Sequence, residues 1–202
     1  MRKPFESWYS QAVYNPAFKI FTSFENCFYK TAEAKPTRLY ATMRRQCRKP
    51  TSDIKHDGIL VFTPKSGISI DLFILEGKRN GGPNTQKELI DIGKLEATMS
   101  STIIFLMEKF GRVLDMSKVR TFGFFFSAMR WDLYEARMEM GPGNDFHIGV
   151  YKIGTGEISF KINEIWTWIR FVQAMIALAR RIRAVVSYLT QTLSALGLQL
   201  TL

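Results

Sequence analysis

Asp57-Gly-Ile-Leu-Val-Phe-Thr-Pro-Lys-Ser-Gly-Ile-Ser-Ile-Asp-Leu-Phe-Ile-Leu-Glu-Gly-Lys78 is the stretch whose reading decides the fold. It contains two apolar runs, Ile59–Phe62 and Ile68–Leu75, joined by Pro64-Lys-Ser-Gly67. Short β-branched and aromatic runs on either side of a Pro/Gly turn predict a β-hairpin. Apolar residues occupy both faces of each run, which predicts a place in the middle of a sheet.

Three charged residues close this apolar stretch. Asp57 opens the first strand, and Glu76 and Lys78 end the second. Side chains alternate along a strand, so Glu76 and Lys78 share a face. In an antiparallel hairpin the start of the first strand lies beside the end of the second, so Asp57 is expected next to Glu76. Two carboxylates and an ammonium converging at a sheet end suit a hard cation and a phosphate. Read as a structural ion-pair network instead, two carboxylates against one lysine leave a net negative charge, which itself favours a cation.

An Asp opening one strand, Leu75-Glu-Gly-Lys78 on the next, and the helical Asp91-Ile-Gly-Lys-Leu95 together resemble the PD-(D/E)XK nuclease superfamily. Within it, the chain is similar to the nuclease-like proteins of fungi and Crinkler-type effectors. The resemblance spans about residues 53–160, and its motif is short. His56 stands where the family has Pro, and Gly77 where it often has an apolar residue. The resemblance implies a restriction-endonuclease-like α/β core and hydrolysis of phosphodiester bonds, with DNA ahead of RNA as substrate. It implies Mg²⁺ or Mn²⁺ held by Asp57 and Glu76, with the carbonyl of Gly77 as a third ligand. Lys78 would orient the attacking water or neutralise phosphoryl oxygens. A glutamate ahead of the sheet often joins such a site, and Glu25 and Glu33 both qualify. The alternative is an inactive nuclease-fold module that binds nucleic acid or a protein partner.

A chain of 202 residues can bury one sizeable core, so a single domain is expected. Its net charge of +10 favours a polyanionic partner. Lys35, Arg38, Arg44, Arg45, Arg48, Lys49 and Lys55 crowd the approach to Asp57, interrupted by Pro36 and Pro50. This run is either a solvated face or an arm that neutralises phosphates without reading sequence. Arg79 and Lys94 are further candidates for phosphate contact, although a solvated surface is the commoner fate of a lysine like Lys94. Cys27 and Cys47 are far apart and lack metal-site spacing, as in a reduced intracellular protein, with a single bridge between them as the alternative. No apolar run of signal-peptide length opens the chain, so a nuclear or cytoplasmic location is expected. No nucleotide-cradling glycine motif occurs, and no small-molecule cofactor is expected.

The remaining elements follow from periodicity. An N-terminal helical segment is expected over residues 1–50, with Phe18, Phe21, Phe24 and Phe28 predicting a helix from about Pro16 to Ala32. The sheet and crossover helix occupy 53–161. Leu89, Ile92, Leu95, Met99, Ile103, Leu106 and Phe110 form the stripe of a helix from about Thr85 to Phe110, stopped by Gly111. Strands are predicted at Val119–Ala128, Trp131–Met140, Phe146–Ile153 and Ile158–Phe160, the first added beside the hairpin by a crossover. His147 is read as a structural histidine within its strand. A long helix follows over 163–197, interrupted by arginines and too polar at its end for a confident membrane span. It is expected to pack on the sheet or on a second copy, as a homo-oligomer. The fold class is thus a mixed sheet flanked by helices.

Overall fold

In a computed structural model, the chain is described over residues 18, 21, 23–37, 54–64, 67–78, 86–142 and 145–196. Six strands form one sheet in chain order: β1 (Cys27–Ala34), β2 (His56–Phe62), β3 (Ile70–Lys78), β4 (Arg120–Ser127), β5 (Arg130–Met140) and β6 (Phe146–Glu157). All neighbours are antiparallel except β3 and β4, which run parallel. A parallel step needs a long connection. Helix α1 (Gln86–Phe110) supplies it, and α2 (Trp166–Leu196) closes the chain. The fold is α/β with a mixed sheet and a long C-terminal helix.

Alternation along β4 assigns the helices to opposite faces. The Thr121 hydroxyl donates to the Met99 carbonyl of α1 at 3.1 Å. Phe124, of opposite parity, packs edge-on against Phe171 of α2 and stacks on Trp131. Phe18 and Phe21 share the α2 face, with ring centroids 5.2 and 5.3 Å from Phe73. Each such buried aromatic contributes about 2–3 kcal/mol of transfer free energy. Both faces of β2, β3 and β4 are therefore covered, as their continuous apolar runs require.

The hairpin from β2 to β3 forms as the sequence predicts, with the Gly67 N–H donating to the Pro64 carbonyl at 2.9 Å. The expected helix over 16–32 does not run its length. Cys27–Ala34 is the edge strand β1, paired with β2. Phe18 and Phe21 pack on Phe73, Phe24 packs on Phe21, and Asn26 at φ 59° precedes the strand. Ile158–Phe160 is likewise not a strand; β6 ends at Glu157. His147 lies exposed on β6, 3.5 Å from Glu139.

Candidate functional site

The end of the sheet where β3 finishes holds a buried chain of polar side chains, Asp91–Lys94–Glu76–His56–Thr98. Glu76 lies on the α1 face and is 4% exposed. Its Oε1 is 2.5 Å from His56 Nδ1 and 3.6 Å from Lys94 Nζ. Lys94 Nζ is also 2.7 Å from Asp91 Oδ1, and His56 Nε2 is 2.8 Å from the Thr98 hydroxyl. Burial alone would lower the pKa of the Lys94 ammonium. The charge of Glu76 and the hydrogen bond to Asp91 outweigh it and hold Lys94 above the ordinary lysine value.

His56 joins this network at the start of β2, opposite an irregular stretch of β1. Thr31 pairs with Gly58 and Ala34 with His56, three steps on β1 against two on β2, with Glu33 at φ 58° in the irregular stretch. Strict alternation would put His56 on the face of Gly58, which meets Tyr29 on the α2 side. The His56 ring turns instead towards Thr98 of α1.

Asp57 takes a different position. It is half-buried, and its Oδ2 accepts the Gly77 N–H at 2.7 Å, which fixes this carboxylate against the peptide that follows Glu76. Tyr29 lies alongside. Burial, then the charge of Asp57, push the phenol pKa well above its ordinary value. The Tyr29 hydroxyl is buried without a hydrogen-bond partner, and its ring covers Gly58 so closely that a Cβ there would lie 2.0 Å from the oxygen. Gly77 is needed for a similar reason: a Cβ would lie 2.1 Å from the Phe126 ring. An apolar side chain at position 77 is thus excluded by the aromatic core beneath it.

The other candidates divide. Lys55 pairs at the surface with Glu33 at 2.5 Å, which ties both to each other and away from Glu76. Glu25 is exposed and lines a separate cavity with Arg183 and Gln191. Lys94 is the main correction. It is a buried member of the ion network and not a solvated surface lysine. Arg44, Arg45, Arg48, Lys49 and Arg79 lie outside the described residues, as does the side chain of Lys78, although its backbone pairs with Ser127 of β4.

The sequence reading named Asp91 only within the helical motif, and missed Thr98 and the part played by His56. It also missed a second polar cluster. There Arg130 bridges Glu88 at 2.6 Å and Asp132 at 3.2 Å, and Asp132 accepts from Thr155 at 2.6 Å. The signal was present in α1, where Glu88, Asp91, Lys94 and Thr98 recur at helical spacing on a buried face.

No set of three or more His, Cys, Asp or Glu that could enclose a metal occurs among the described residues. A fully protein-caged ion therefore has no fit among them. Mg²⁺ asks for less: one or two carboxylates, with water and phosphate filling the remaining positions. Asp57, held on the Gly77 N–H beside the orphaned Tyr29 hydroxyl, and Glu76, held by His56 and Lys94, are the two carboxylates at this end of the sheet that such a small donor set could draw on. No family profile, curated protein or solved structure matches the chain. No helix among the described residues is long and apolar enough to cross a membrane.

Proposed function

We propose that this chain is a divalent-metal-dependent nuclease with a restriction-endonuclease-like core, in which Asp57 and Glu76 hold Mg²⁺ or Mn²⁺. The observation that carries the reading is the Asp57 carboxylate on the Gly77 N–H, which brings two acids to one end of the paired central strands. The order of three antiparallel strands, crossover helix and parallel strand supports it, being the setting in which the Asp and Glu-x-Lys motif was read.

The bound metal would supply Lewis-acid stabilisation of charge on the phosphoryl group and a more acidic water. The protein's own part is positional. The Gly77 N–H fixes the orientation of Asp57, and His56 with Thr98 behind it fixes the rotamer of Glu76. Lys94 stands beside Glu76 at 3.6 Å and neutralises its charge. Lys78, at the end of β3, is the residue assigned to charge neutralisation at the phosphate. The basic run of Arg44, Arg45, Arg48 and Lys49 supplies sequence-independent affinity for the nucleic-acid backbone.

One observation favours a second reading, a nuclease-fold module that binds without cutting. Oε1 of Glu76 already faces His56 and Lys94, so its charge has protein partners. A paired cleavage and binding assay separates the two. A nuclease nicks DNA or RNA with Mg²⁺ or Mn²⁺ and stops on adding a chelator. Glu76→Ala then abolishes cleavage, and Lys78→Ala slows it about 100- to 1000-fold. Wild-type protein that binds DNA and RNA but cuts neither assigns the chain to the second reading.

A further inference from the structure

Helix α2 buries one face against the sheet through Phe171, Met175, Leu178, Ile182, Val185 and Leu189. A second apolar stripe in the first half of the helix is left exposed. Ile165, Ile169, Val172 and Ile176 recur at steps of four, three and four, all exposed, and Trp166 adds to them at 67% exposure. Ile162, in the turn leading into the helix, is 93% exposed. These six side chains leave on the order of 700 Å² of apolar surface in water, against the few hundred Å² that a monomer ordinarily tolerates.

We propose that this stripe is the interface of a homodimer in which the α2 helices of two copies pack antiparallel about a two-fold axis between Ile169 and Val172. Three observations select a second copy. The area is close to the about 800 Å² per partner that a standard interface buries. The alternating four- and three-residue steps form the self-complementary seam by which two helices interlock side chains. The charges then choose the direction. In a parallel pair Arg180, on the flank of the stripe, would face its own copy, and like charges at close quarters oppose pairing. The antiparallel arrangement seats Ile165 on the second copy's Ile176, and Ile169 on its Val172. It also sets the two helix dipoles antiparallel, each N-terminus beside the other's C-terminal direction. An isologous contact of this kind closes on itself and stops at two copies. The proposal is independent of the nuclease reading, because the stripe belongs to α2 whereas the acidic site faces α1.

Sedimentation velocity on the full chain tests it. Wild type is expected to be a dimer at tens of micromolar. Ile169→Lys and Val172→Lys change exposed positions and keep the native circular dichroism, yet each buries a charge in the seam and weakens the dimer about 100-fold or more. Leu89→Lys, an exposed apolar position on α1, leaves the dimer intact. In a chain with both native cysteines changed to Ser, the double variant Ile165→Cys/Ile176→Cys cross-links between copies on oxidation, and Ile165→Cys alone does not. A monomeric wild type, or a dimer that survives both lysine substitutions, overturns the proposal. Cross-linking by Ile165→Cys alone shows parallel helices and overturns the arrangement.

Discussion

Replacing Lys94 by Met tests the ion network at its centre. Met keeps the length and flexibility of the side chain but removes the ammonium that stands 2.7 Å from Asp91 and 3.6 Å from Glu76. The side chains of Asp91 and Glu76 are 6% and 5% exposed, so neither carboxylate can turn to water for compensation. Breaking a buried pair on one side costs about 3–5 kcal/mol. Glu76 keeps His56 as a partner, which puts the expected loss near the lower end, at about 3 kcal/mol. For a chain of this size that lowers Tm by roughly 6–12 °C.

The pH dependence has a defined sign. The folded-state pKa of Lys94 is raised, burial being outweighed by Glu76 and Asp91. Its contribution is therefore complete below the ordinary lysine pKa and is lost as pH rises through the folded value. Urea unfolding, followed by tryptophan fluorescence from pH 7 into the alkaline range, should show a full gap between wild type and Lys94→Met at neutral pH. The gap should narrow above the ordinary lysine pKa of 10.5. A neutral-pH loss under about 1 kcal/mol would refute the reasoning, since that is the scale of a solvated surface pair.

Gly77→Ala should destabilise the chain by about 1–3 kcal/mol, because its Cβ meets the Phe126 ring; Phe126→Leu in the same chain should recover part of that in a urea titration. Burial pushes the Cys27 thiol up to about 11. In a Cys47→Ser chain at pH 8 it should alkylate about 100-fold more slowly folded than unfolded, and equal rates would contradict its burial. Changing Arg44, Arg45, Arg48 and Lys49 to Ala together should lower the slope of log affinity for DNA against log salt by about three units. An unchanged slope returns those residues to a solvated surface.

The large elements were legible in the sequence because their periodicity and their burial agree. The hairpin's two-sided apolar runs, and the stripe ending at Phe110 and Gly111, predict β2, β3 and α1 almost to the residue. Residues 18–34 were misread for a physical reason. Phenylalanines spaced by three satisfy a helix stripe, but here Phe18 and Phe21 cover Phe73, and from Cys27 the chain pairs with the edge of β2 as β1. The candidate site was half legible. The proximity of Asp57 to the Glu76–Gly77 peptide follows from hairpin geometry alone. Lys94 and His56 could not be read the same way. Lys94 has its partner Glu76 on another element, and His56 departs from the strict alternation of its strand to meet Glu76 and Thr98, which no residue pattern announces.

Metal binding at Asp57 and Glu76 is the central claim, and Mn²⁺ titration followed by electron paramagnetic resonance tests it most directly. The account predicts that wild-type protein takes up Mn²⁺ at a site that Mg²⁺ displaces. Asp57→Asn and Glu76→Gln should each weaken that uptake at least about tenfold while the circular dichroism stays native. Wild-type protein that leaves the free Mn²⁺ signal undiminished at millimolar metal, or uptake that both substitutions leave unchanged, would contradict it.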